Sequence, residues 1–213
     1  GKMGYMSTKG GETGAENYFC ANNGKQAKRG YMDFYGQMLM SPVLRRQIKL
    51  RRSESIYEPD FTRVTYLTND PASLDGLRPY FVVKDEMEAE VNFDQINQIL
   101  RPMKKRRQPL LWYTMTAGTV LDGPAMYHYL YAKKVLDRDP ELDERAIDSY
   151  LPIIYEIDAG LDYHDPETWI MANPAMGVLL DLEDMVLDYE RAKRSPTELA
   201  DFVTKQLNVF TQP

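Results

Sequence analysis

Two apolar runs constrain this chain most. Tyr80-Phe81-Val82-Val83-Lys84 ends in the adjacent carboxylates Asp85 and Glu86, and Leu110-Leu111-Trp112-Tyr113 ends in Thr114-Met115-Thr116-Ala117-Gly118. A helical pattern with Phe93, Ile96, Ile99 and Leu100 separates them. Short apolar runs divided by a helix predict buried parallel strands covered on both faces. In such a sheet, polar residues at the carboxyl tips of the strands build the site. An acid pair at one tip supports two readings. It can hold a magnesium ion and activate a water, or it can cap the short helix that follows near Met87. Lys84 sits oddly in a run that otherwise reads as buried.

The rest of the first half alternates in the same way. Asn17 to Ala21 reads as a strand, and Gln26 to Met40 as a helix with an apolar stripe at Ala27, Tyr31, Phe34, Tyr35, Met38 and Leu39. Ser41-Pro42 stops that helix. Val64 to Thr68 reads as a strand closed by the turn Asn69-Asp70-Pro71. The second half differs. Helices are expected at Pro124 to Asp137 and Leu182 to Lys193, and a third starts at Ser195-Pro196-Thr197-Glu198, a capping-box pattern. Leu151 to Ile157 reads as a strand, followed by an acidic, irregular stretch from Asp158 to Asp165.

With 213 residues, the chain has room for one sizeable core and is short for two domains. No apolar run approaches the ~18 residues of a membrane span, and the start lacks the apolar segment of a signal peptide. Cys20, the one cysteine, excludes an internal disulfide and reads as a buried strand residue. His128 and His164, the two histidines, lack zinc-ligand spacing and read as structural or surface groups. A net charge of −6 argues against a free-standing nucleic-acid module. DNA contact would need local patches, and two exist: Lys49 to Arg52 and Lys104 to Arg107. The plainer reading of each is a solvated surface.

Gly1-Lys2 matches the last two invariant residues of a phosphate-binding loop, Gly-x4-Gly-Lys-Ser/Thr, with Met3 in place of the hydroxyl. Gly24-Lys25-Gln26 is a decoy: Phe19 stands at the first glycine and Gln26 at the hydroxyl.

The ordered set of motifs resembles the ATPase domain of tailed-phage terminase large subunits. It comprises Asn22 to Ala27, Ser73-Leu74-Asp75-Gly76-Leu77 ahead of Tyr80 to Glu86, Arg107-Gln108-Pro109-Leu110, Thr114 to Gly118, Ala172-Asn173-Pro174 and Phe202 to Asn208. The resemblance covers nearly the whole chain. It implies an α/β fold of the P-loop NTPase type, mostly parallel with helices on both faces, and an ATPase that drives double-stranded viral DNA into a procapsid. It implies Asp85 as the Walker B metal ligand for Mg2+ and Glu86 as the catalytic glutamate. Gly1 and Lys2 become phosphate ligands, and Thr114, Thr116, Ala117 and Gly118 the motif coupling hydrolysis to DNA movement. Arg51, Arg52, Lys104 and Arg106 become candidates for contact with DNA phosphates. Partners would be ATP, duplex DNA, a portal protein and a small terminase subunit, in a ring homo-oligomer in the cytoplasm of an infected bacterium, with no membrane.

Residues 1–213 are expected to form one ATPase-like domain that lacks most of the phosphate loop and the nuclease domain, so the isolated chain should bind ATP weakly. The interval from Lys2 to Asn17 leaves room for a helix of only about two turns, unless residues are missing near Lys9-Gly10. Two rivals stand: a different P-loop DNA motor of the helicase type, or a catalytically inactive structural or DNA-binding fragment.

Overall fold

A computed structural model of the chain describes residues 1–10, 12–68 and 76–211. Gly11, the Asn69-Asp70-Pro71 turn and the Ser73 to Asp75 part of the lead-in lie outside the described residues, as do Gln212 and Pro213. The chain divides into two compact units, Gly1–Met115 and Thr116–Pro213.

The first unit is an α/β sheet unit. Its helices are α1 (Lys2–Lys9), α2 (Gly24–Met40) and α3 (Asp94–Met103). Its strands are β1 (Glu16–Cys20), β2 (Ile48–Leu50), β3 (Glu54–Tyr57), β4 (Thr62–Tyr66), β5 (Pro79–Lys84) and β6 (Leu110–Tyr113). The six strands lie in the order β2-β3-β4-β1-β5-β6. β4, β1, β5 and β6 run parallel, while β2, β3 and β4 are joined by antiparallel pairing. The sheet is therefore mostly parallel, as the alternating pattern requires, with an antiparallel margin.

β5 is apolar up to Lys84 because both of its faces are covered. Phe81 packs with Met3, Met6, Phe34 and Met38 from α1 and α2, and Val82 packs with Ile99 and Met103 from α3. Burying side chains of this size stabilises by about 1.5–3 kcal/mol each. α2 opens on Asn23, whose side chain accepts from the Gln26 amide at 3.0 Å, and ends at Ser41 ahead of Pro42. Gly30 lets α2 approach β1: a Cβ there would lie 2.8 Å from the Phe19 ring. α1 has eight residues, the two-turn length that the interval allows.

Three elements depart from the sequence expectation. The β2–β3 hairpin falls in a stretch where only a basic patch is expected. β4 spans Thr62–Tyr66, two residues earlier than Val64 to Thr68. The expected strand from Leu151 to Ile157 does not form. These residues have no ladder among the described residues, and Leu151, Ile153 and Tyr155 are exposed. Apolar alternation without a partner strand leaves backbone groups unpaired, so the pattern alone does not make a sheet.

The second unit is helical among its described residues, with α4 (Pro124–Leu136), α5 (Glu144–Asp148), α6 (Leu182–Ala192) and α7 (Pro196–Leu207). Its core is Trp169, Met185, Tyr189, Phe202, Val203 and Leu207. The Trp169 ring meets Tyr189 and Phe202 edge-on at 5.2 and 5.5 Å, a favoured geometry for aromatic pairs. The Trp169 indole N–H donates to the Tyr163 carbonyl at 2.9 Å. Ser195 caps α7 by accepting from the Glu198 amide at 3.4 Å. No helix among the described residues is long and apolar enough to cross a membrane.

Candidate active site

The register of β5 and β6 builds the site. Lys84 pairs with Tyr113, so the residues that follow, Asp85 and Thr114, emerge side by side at the carboxyl edge. The Asp85 amide donates to the Cys20 carbonyl at 2.8 Å and the Thr114 amide to the Lys84 carbonyl at 3.0 Å. Both tips are thus held by backbone bonds. The Thr114 hydroxyl donates to Asp85 Oδ1 at 2.7 Å, and the Glu86 amide donates to the same oxygen at 3.0 Å. Asp85 is exposed. One carboxylate oxygen is oriented by two donors, and the carboxylate stays open to solvent.

Glu86 has a left-handed backbone, φ 55° and ψ 51°. For a non-glycine residue this costs about 1–2 kcal/mol, and such outliers gather at functional sites. The turn is closed on both sides. The Met87 amide donates to the Thr114 carbonyl at 3.3 Å, and the 3-10 turn Met87–Ala89 follows, with the Ala89 amide on the Glu86 carbonyl. Asp85 and Glu86 directly precede this turn, and no side chain caps it by a hydrogen bond.

Lys84 explains itself in the same place. Its side chain is 1% exposed and forms an ion pair with Glu90, 13% exposed. The buried run tolerates a lysine because its charge is neutralised six residues on, beneath the loop that carries Asp85 and Glu86. Burial pushes the neighbouring Cys20 thiol up to about 11, with Lys84 opposing and Glu90 adding to the shift.

Sequence reasoning missed Gln26. It sits in the first turn of α2, and its side-chain amide donates to Glu86 Oε1 at 2.5 Å. Its carbonyl oxygen accepts from the Asn23 side chain. The signal available was the resemblance of Asn22 to Ala27 to a family motif. No sequence pattern connects residues sixty positions apart.

The other expected residues are placed elsewhere. Gly1 and Lys2 begin α1 and line a cavity of about 270 Å³ with Phe19, Phe34, Phe81 and Trp112, and the Lys2 ammonium lies 5.2 Å from the Tyr5 ring centre. Asp85, Glu86 and Thr114 do not line that cavity. Gly76, the described end of the lead-in, has φ +78°.

The four arginine and lysine candidates do not form one patch. β2 runs in the direction of β4, so the turn after it, with Arg51 and Arg52, lies at the carboxyl edge of the sheet. Lys104 and Arg106 precede β6 and so lie at the opposite edge. Arg106 is committed internally, donating to the Arg78 carbonyl at 2.6 Å and pairing with Glu12 at 3.8 Å.

Of the coupling-like segment, Thr114 belongs to the first unit and Thr116, Ala117 and Gly118 to the second. Within the second unit the loose motifs converge. The Ala117 amide donates to Asn208 Oδ1 at 3.3 Å, and Asn208 Nδ2 donates to the Tyr155 carbonyl at 3.0 Å. Asn173 Nδ2 donates to the Gln206 carbonyl at 2.8 Å. Asn208 has φ 53° and terminates α7. His164 Nδ1 meets the Tyr189 hydroxyl, and burial lowers the basicity of His128 in α4.

Among the described residues no group of three or more His, Cys, Asp or Glu side chains is placed to hold a metal ion. The acid pair alone is a sparse donor set. It fits a magnesium ion that keeps most of its water and takes further oxygens from a nucleotide.

Comparison with known proteins agrees with this architecture. Residues 8–134 match the family described as terminase large subunit, ATPase domain, and residues 144–213 match terminase large subunit, endonuclease domain. The reading of residues 1–213 as one ATPase-like domain thus stands beside two matches that share the chain. Protein YmfN of Escherichia coli (strain K12) is 32% identical over 136 residues, which are 64% of this chain and 29% of that protein. The crystal structure of the HK97 bacteriophage large terminase resembles 99% of this chain with a TM-score of 0.78 at 20% identity, over 42% of its own length. The match therefore spans less than half of each. The second likeness is one of fold alone. Because the ATPase-domain match covers more than half of the sequence, the chain belongs to the terminase large subunit family.

Proposed function

We propose that this chain supplies the ATP-hydrolysing site of a motor that packages double-stranded viral DNA into a procapsid. The observation that carries it is the Thr114 hydroxyl on Asp85 Oδ1 at 2.7 Å, with Glu86 beside it on a left-handed turn. This is a carboxylate oriented for a hydrated cation next to a second carboxylate that can serve a water, one of its oxygens accepting from Gln26.

Asp85 would hold Mg2+, which supplies charge neutralisation on the transferred phosphoryl group. Glu86 orients and deprotonates the attacking water, a role that contributes about 10²–10⁴-fold to rate. Thr114 fixes Asp85. Gly1 and Lys2 are assigned to the nucleotide phosphates on their likeness to the end of a phosphate loop. Thr116, Ala117 and Gly118 follow Thr114 within four residues, which supports their assignment as the segment that passes hydrolysis on to bound DNA. Among the basic candidates, the exposed Arg51, Arg52 and Lys104 suit sequence-independent phosphate contact better than Arg106, whose guanidinium is spent inside the unit. Portal protein, small terminase subunit and ring assembly in the host cytoplasm belong to this reading as partners and setting. The motor chemistry is placed in the first unit, and none is assigned to residues 144–213.

The test is ATP turnover by a full-length terminase polypeptide carrying this segment, compared with its Glu86→Gln form. A loss of at least ~100-fold is expected. Equal turnover in both would overturn the role of Glu86.

A further inference from the structure

Lys84 occupies a place built for an apolar side chain. Tyr80, Val82 and Lys84 alternate onto one face of β5, and on that face Val82 packs with Tyr18, Cys20, Ile99 and Met103. Lys84 itself is 1% exposed. A buried ion pair is no more stable than an apolar pair of similar volume, and often less so. Packing therefore gives no reason for Lys84 and Glu90 to be charged.

What the charges supply is direction. Lys84 Nζ both pairs with Glu90 Oε1 and donates a hydrogen bond to it. A charge-assisted hydrogen bond has a narrow range of favourable geometry, whereas two apolar side chains slide past one another at small cost. Lys84 is the last residue of β5, and Glu90 closes the 3-10 turn that follows Glu86. Joining them shuts Asp85 to Ala89 into a loop. Within it the Ala89 amide donates to the Glu86 carbonyl and the Glu90 amide to the Met87 carbonyl, each at 3.2 Å. The Met87 side chain is fully buried.

Glu86 keeps its φ of 55° inside this loop. An L residue set free moves to negative φ, which redirects its Cα–Cβ bond and carries the carboxylate elsewhere. Asp85 is held separately, by the Thr114 hydroxyl from β6. Opening the loop thus displaces Glu86 and spares the metal ligand.

We propose that the Lys84–Glu90 ion pair aims Glu86 at the attacking water by holding its loop in the left-handed turn. Both act through the loop and are positioning residues for hydrolysis. This rests on the assignment of Glu86 made above.

The test uses a full-length terminase polypeptide carrying this segment. It measures urea unfolding, kcat and KM for ATP, and amide exchange by mass spectrometry. Lys84→Met/Glu90→Leu replaces the ion pair by an apolar one. It is expected to unfold close to the parent, to keep KM for ATP within about twofold, and to lose about 10–100-fold in kcat. Exchange across residues 86–90 is expected to quicken about tenfold while the β5 amides keep the parent rate. Glu90→Asp keeps both charges and shortens the reach by one methylene. It is expected to lower kcat to a smaller extent with KM again unchanged. A parent-like kcat in the folded apolar pair, a rise in KM in place of the fall in kcat, or unchanged exchange across residues 86–90 would overturn the proposal. Should the apolar pair not fold, a parent-like kcat in Glu90→Asp does the same. Glu86→Gln in the same assay separates the two ideas. If it is active, the assignment of Glu86 fails; if it is inactive while the apolar pair turns over like the parent, the positioning alone fails.

Discussion

Lys84 and Glu90 form a buried ion pair beneath the turn that presents Asp85 and Glu86. The pair closes the loop Asp85 to Ala89 from below, while the Met87 amide on the Thr114 carbonyl closes it from the side. A left-handed residue between two such fastenings cannot relax without breaking one of them.

Removing one partner of this pair strands a charge. Lys84→Met is expected to lower the unfolding free energy by about 3–5 kcal/mol, and Lys84→Met/Glu90→Leu to recover much of the loss. Urea unfolding monitored by circular dichroism measures both. Equal stability of the single and double variants would show that the pair is not coupled.

Thr114 orients Asp85 by one hydrogen bond, so its conservative and non-conservative replacements should part. Thr114→Ser retains the donor and is expected to stay within a few-fold of the parent. Thr114→Val removes it, with an expected loss of about 10–100-fold in magnesium affinity or activity. Titration of the ATP turnover with Mg2+ distinguishes them.

Asn208 ties Ala117 and Tyr155 to the end of α7. Asn208→Gly keeps the left-handed backbone and loses both side-chain bonds, for an expected cost of about 1–3 kcal/mol. Asn208→Ala adds about 1–2 kcal/mol of backbone strain. Amide hydrogen exchange should show faster exchange at Ala117 in both variants, and unchanged exchange would mean that the contact is not formed.

Cys20 supplies a pH dependence. Its folded-state thiol is pushed up to about 11 from 9.0. The raised value means that the folded state keeps its proton where the unfolded state loses it. The associated stabilisation is therefore fully present below pH 9 and is lost as pH rises through 11, roughly 3 kcal/mol in all. Unfolding free energies of the parent and Cys20→Ala measured across that window should diverge less at the alkaline end. Parallel curves would remove Cys20 from the balance.

Much of this structure is legible from periodicity. β5, β6, α2, α3, α4, α6 and α7 follow apolar patterns and capping residues that act within a few positions. The β2–β3 hairpin is not, because Lys49, Arg51, Arg52 and Glu54 interrupt its few apolar residues, and its pairing depends on β4. Leu151 to Ile157 errs the other way: its alternation is real, but a strand needs a neighbour. At the site, Asp85, Glu86 and Thr114 could be read because each ends an apolar run. Gln26 could not, since its role arises from the packing of α2 over a strand tip far along the chain. Lys84 looked anomalous because its partner stands beyond the turn, six residues away.

The hairpin margin has one more consequence. β2 is an edge strand of three residues, with Lys49 exposed and Arg51 and Arg52 just beyond it. Short, charged edges are poor templates for strand addition by another molecule. The charges around Lys49 thus make this margin of the sheet a poor surface for sheet-to-sheet joining, whatever else they contact.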